Sequence, residues 1–225
     1  MKEVPLASRG TQTLHTVGLI ALAVLMLLFW HHRWLLPVKM FVVLAHELGH
    51  ALAALLTGGS VLEVSFGTDQ GGWARTQGGN AFIILNAGYL GSTLTGLALL
   101  RLGRTPRASR IGLSAIALLL VGVAVFLMSW LSMAQVYAVL MAAAFLLLGR
   151  FAGAGLQRFV LRALGMFSVL YALWDIADDV FTPAGSPMSD AAALAQLTYV
   201  PSCCWGVTWI ALSVGLVVLF RRRLL

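Results

Sequence analysis

Long apolar runs, interrupted by short clusters of glycine, proline and arginine, dominate the chain. Reading for runs near the 20 residues that cross a hydrocarbon layer predicts seven helices, at about 14–30, 36–56, 81–100, 111–129, 133–149, 157–176 and 204–220. The first could instead be a signal peptide, which would leave six. No small-residue cleavage pattern follows it, and Trp30-His31-His32-Arg33-Trp34 reads as an interfacial belt, so a retained helix is expected. Residues 57–80 combine glycine punctuation with an alternating stretch, Val61 to Phe66, and predict a short β-hairpin or re-entrant strand between the second and third helices. Residues 177–202 carry prolines and end in an apolar segment too short to span. The fold class expected is therefore all-α: a polytopic transmembrane bundle forming one integral-membrane domain over residues 1–225.

Composition agrees with that pattern. Of 225 residues 60% are hydrophobic and only 10% charged, which a soluble domain of this length could not cover. The formal charge of +7 does not point to nucleic acid, because the basic residues are scattered between apolar runs with no basic face and interleaved aromatics. They sort instead by side. Arg33, Lys39, Arg101, Arg104, Arg107, Arg110, Arg150, Arg158, Arg162 and Arg221–Arg223 fall on one side of the seven spans, and only Lys2, Arg9 and Arg75 on the other. That asymmetry predicts a cytoplasmic C-terminus and contact with anionic lipid heads. Cys203 and Cys204 are adjacent and make neither a disulfide framework nor a thiolate metal site.

The second span contains His46-Glu47-Leu48-Gly49-His50. An HExxH pentapeptide on a helix stacks two imidazoles one turn apart, where they can share Zn²⁺ with the glutamate beside them as general base. Ionisable groups at this depth are costly to bury and mark a functional site, and a metal relieves the cost by making the imidazoles ligands. Zinc needs a third protein ligand, and the chain has few acids to offer. Glu3, Glu63, Asp69 and Asp190 fall in termini or loops, and Glu47 lies within the motif. The rest cluster at Asp175, Asp178 and Asp179, at the end of the sixth span. Asp175, the deepest, is the expected ligand; Asp179 and Asp178 are the alternatives, and the neighbours can hydrogen-bond the ligands.

Asn86, in the third span, is a candidate substrate-binding residue, able to hydrogen-bond an oxyanion or a substrate backbone; helix–helix hydrogen bonding is the competing role. Gly88, Gly91 and Gly96 read as close-packing positions. His31 and His32 point about 100° apart on a helix, a poor geometry for sharing an ion.

These motifs together resemble the site-2 protease family of intramembrane zinc metalloproteases, in particular a small bacterial branch. The resemblance rests on the pentapeptide, Gly88-Tyr89-Leu90-Gly91-Ser92, the Asp175–Asp179 cluster and Ser189-Asp190-Ala191, covering residues 36–210. The chain lacks the Leu-Asp-Gly motif from which better-studied members take their third ligand. The resemblance implies an endopeptidase of the bacterial cell membrane, acting on transmembrane protein substrates. In it His46, His50 and Asp175 hold Zn²⁺, and Glu47 takes a proton from an activated water and returns it to the leaving amine. The strand at 61–66 could pair with an extended substrate. Two other readings are a cation transporter and an inactive relative that binds membrane helices. The first would spread polar residues over several helices or a repeat, and the second would be expected to lose Glu47 or a histidine; neither pattern is present.

Overall fold

The computed structural model describes residues 32–69, 71–181 and 189–224, with isolated positions between 17 and 29. The first expected span, 14–30, lies largely outside the described residues. Among these, seven helices and one two-stranded sheet follow in order: α1 (Leu36–Leu56), β1 (Ser60–Phe66), β2 (Gly72–Gln77), α2 (Ala81–Leu102), α3 (Pro106–Phe126), α4 (Met133–Phe151), α5 (Ala154–Phe181), α6 (Asp190–Thr198) and α7 (Ser202–Leu224). All but α6 are long and apolar enough to cross a membrane. The hairpin expected in 57–80 is present, and the apolar segment of 177–202 that is too short to span forms the nine-residue helix α6.

Element boundaries follow local chemistry. Asn80, Thr105, Ser132 and Ser189 each accept a hydrogen bond from a backbone N–H of the first turn of α2, α3, α4 and α6, and Pro106 opens α3. Gly78 and Gly79 hold φ of +70° and +78°, a region closed to most side chains, and so turn β2 into α2. Lys39, which the charge distribution assigns to the arginine-rich side, is buried in α1.

Close contact between helices comes from glycine. A Cβ at Gly49 would lie 2.4 Å from the Ala87 carbonyl oxygen, and one at Gly91 would lie 3.0 Å from the Gly49 Cα, so α1 and α2 run nearly backbone to backbone. Gly96 and Gly165 do the same for α2 and α5. The main core joins α1, α3, α4 and α5 with Val64 and Phe66 of the hairpin. A second cluster, Tyr89, Ile176, Ala191, Leu194 and Trp209, seats α6 against α2, α5 and α7.

The strands pair antiparallel from Ser60–Gln77 to Phe66–Gly72, with a bulge between Val61 and Glu63. On its outer side β1 is tied down where the Val64 N–H donates to the Leu127 carbonyl at 2.6 Å. Alternate connectivity puts the hairpin, the α3–α4 loop and α6 at one end of the bundle. The α2–α3 turn, the start of α5 and the arginine-rich end of α7 lie at the other.

Candidate metal centre

His46 and His50 project from the same face of α1, roughly 15 and 21 Å from its start, which sets His46 at mid-length and His50 beyond it toward the hairpin end. Their rings meet edge to face, with centroids 4.7 Å apart. The carboxylate that reaches them is Asp190, whose Oδ2 lies 3.1 Å from His46 Nε2 and 3.2 Å from His50 Nε2. Asp175, the expected ligand, does not make these two contacts. By its sequence alone Asp190 falls in a loop. Instead, Ser189 caps α6, and Ala191 and Leu194, both fully buried, dock the helix so that its first residue faces α1. Burial opposes ionisation of Asp190, but the two imidazoles beside it, when protonated, outweigh that and hold its carboxyl below the usual carboxylate range.

Asp175 lines the same cavity and lies within electrostatic reach of His46. Asp179 also lines it and accepts a hydrogen bond from the Tyr89 hydroxyl. Asp178 is exposed and is not among the lining residues. Asn86 is likewise turned from the cavity: its amide donates to the Phe82 carbonyl at 2.8 Å, and its oxygen accepts from Trp209 Nε1 at 2.8 Å. That is the helix–helix role.

The donor set fits a zinc ion. One ligand atom from each of His46, His50 and Asp190 lies within 4.8 Å of the others. A tetrahedral centre with bonds of 2.0–2.1 Å has edges of about 3.3 Å, close to the two nitrogen–oxygen distances. His50 Nδ1 stands 2.7 Å from the Ile84 carbonyl. Donation there fixes the tautomer that leaves Nε2 free, the usual outer support of a metal-binding histidine. The edge of His46 meets Tyr89, with ring centroids 4.7 Å apart. Space is kept by Gly88, where a Cβ would fall 2.3 Å from His46 Nε2 and 2.6 Å from His50 Nε2.

Glu47 is buried at 5% exposure beside the pair. Strand β2 passes directly over it: a Cβ at Gly72 would lie 2.5 Å from Glu47 Oε1 and 2.9 Å from Val43 Cγ1. Together these groups line a cavity of about 520 Å³ that also takes in Gly71, Gly72, Trp73, Ala74 and Thr76. Four successive residues, 71–74, could not all line it from one face of a strand. β2 therefore presents its edge, with β1 on its other side.

Residues 19–220 match the family described as Peptidase M50B-like. The chain belongs to that family. It is thereby a peptidase-like integral membrane protein of the site-2 protease kind. No curated protein and no solved structure matches it. In this M50B-like protein the sequence signal for Asp190 was its place in Ser189-Asp190-Ala191, a capping residue followed by an acid at the start of a short apolar helix.

Proposed function

We propose that this protein is a zinc-dependent intramembrane endopeptidase that hydrolyses peptide bonds in or near the transmembrane segments of other membrane proteins. The observation that carries the reading is the meeting, in one cavity inside a helical bundle, of both HELGH imidazoles, the Asp190 carboxylate and the buried Glu47.

His46, His50 and Asp190 hold the metal, which when bound supplies Lewis acidity toward a carbonyl and acidifies water. Glu47 accepts a proton from the attacking water and delivers it to the departing amine. Val43 and Gly72 wall its carboxylate, which limits the directions in which it can swing. A helical substrate amide is already hydrogen-bonded and sterically shielded, so the scissile segment must enter extended. The exposed edge of β2 suits strand addition beside Glu47; the expectation had put that role on residues 61–66, the β1 segment. By the distribution of Lys and Arg, the arginine-bearing end and the C-terminus face the cytoplasm of a bacterial cell, and the hairpin end faces outward.

The test uses the purified protein with a panel of single-span transmembrane peptides in proteoliposomes, read by mass spectrometry, alongside zinc analysis. Glu47→Gln is expected to keep its zinc and lose cleavage by about 10²–10⁴-fold. Asp190→Ala is expected to lose zinc, while Asp175→Ala retains it. Full cleavage by the Glu47 variant, or undiminished zinc in the Asp190 variant, overturns the assignment.

A further inference from the structure

Two carboxylates of the cavity take no part in holding the metal. Asp175 and Asp179 stand one turn apart on α5 and line the same space as His46, Glu47 and Gly72. Asp179 is held in place by the hydrogen bond it accepts from the Tyr89 hydroxyl. The Tyr89 ring is fixed in turn by His46 and Trp209, whose ring centroids each lie 4.7 Å from its own. Asp175 sits deep beside it, within electrostatic reach of His46, and makes no hydrogen bond to any described residue. The described residues that line the cavity include no Lys or Arg.

These carboxylates stand across the cavity from the strand edge. Both β2 and α5 line the space, yet β2 packs on α1 and forms no packed interface with α5. An extended segment added to the β2 edge therefore runs between that edge and the acidic face of α5, with successive side chains alternating in direction. When zinc is bound, Asp190 and Glu47 balance its two charges, and Asp175 and Asp179 are left to act on the segment itself. A Lys or Arg within a membrane span is costly to keep in lipid. A carboxylate walled off from bulk water attracts such a cation more strongly than one at a surface, and accepts charge-assisted hydrogen bonds from it.

We propose that Asp175 and Asp179 form a subsite for a basic side chain, so that the membrane segments this cavity selects carry a Lys or Arg close to the residues presented to the metal. The inference rests on the hydrolytic reading given above, so binding is measured apart from cleavage. The probes are synthetic single-span peptides that differ at one position, where Lys, Met or Glu is placed in turn along the span. Binding is followed by fluorescence anisotropy on the zinc-loaded Glu47→Gln full chain in detergent, and cleavage by the parent is followed by mass spectrometry.

At the best position the Lys peptide is expected to bind about 10- to 100-fold more tightly than the Met peptide, the range of a hydrogen bond to a charged group, with the Glu peptide weakest. Adding Asp175→Asn/Asp179→Asn should bring the Lys-to-Met ratio to within about twofold while zinc content stays unchanged. Asp175→Asn alone leaves the Tyr89–Asp179 bond in place, should lower the ratio about threefold or more, and serves if the double variant does not fold. Asp175→Glu should keep the preference. A ratio near one at every position, or one that survives in the double variant, overturns the subsite. Zinc lost in proportion with Asp175→Asn also overturns it, in favour of a metal-holding role. Preferential binding of the Lys peptide without cleavage of any peptide by the parent upholds the subsite and overturns the hydrolytic reading instead.

Discussion

Replacing Gly88 with alanine tests the metal centre without touching any ligand. The added Cβ would lie 2.3 Å from His46 Nε2, where ordinary contact begins at 3.4 Å, so about 1.1 Å of clearance must be found. The backbone cannot supply it, because α2 already abuts α1 through Gly49, Ala87 and Gly91. The imidazoles must therefore turn away, with His50 stretching its bond to Ile84. Overpacking of this kind costs about 1–3 kcal/mol, which corresponds to roughly 5- to 150-fold in zinc affinity when the strain is confined to the bound geometry. The assay is zinc competition against a chromogenic chelator in detergent, with the visible spectrum of the cobalt-substituted protein reporting ligand geometry. Gly122→Ala, where no atom lies within 4 Å, is the control. Zinc affinity in Gly88→Ala within twofold of the control, with an unaltered cobalt spectrum, would refute the placement of both imidazoles against α2.

Other outcomes separate the remaining parts of the site. Gly72→Ala pushes on Glu47 rather than on the histidines, so cleavage should fall at least tenfold while zinc affinity stays within about threefold; loss of zinc instead would mean that β2 supports the ligands. Tyr89→Phe leaves the ring against His46 but removes the hydroxyl from Asp179, and should cost about 1.5–3 kcal/mol of stability in reversible detergent unfolding. A cost under 0.5 kcal/mol would show that bond to be immaterial. Stripping the metal with a chelator should lower the midpoint of thermal unfolding, and readdition of zinc to 100 times its Kd should restore about 2.7 kcal/mol; no shift on either step would exclude a resident ion.

Much of the architecture was legible because it rests on local rules. Apolar runs located the described spans, glycine punctuation and a short alternation located the hairpin, and the pentapeptide located the imidazoles. The third carboxylate was not legible, because depth in a hydrophobic run proved a poor guide to proximity. Asp175 satisfies that criterion, yet α6 folds back and delivers Asp190 between the rings. What places it is tertiary: the burial of Ala191 and Leu194 against Tyr89, Ile176 and Trp209. Asn86 illustrates the same limit, since nothing in its neighbourhood along the chain announces its bond to Trp209, 123 residues away. The opposition of Gly88 to the histidines, and of Gly72 to Glu47, also required coordinates. In the sequence those glycines read only as packing positions or turn residues.

The 144 residues that separate His46 from Asp190 have a consequence for biosynthesis. While the ribosome is still threading α2 through α5 into the bilayer, the two imidazoles are already installed but their carboxylate partner has not been translated. The cluster of His46, His50 and Asp190 therefore cannot assemble until the late helix α6 has been made and has docked.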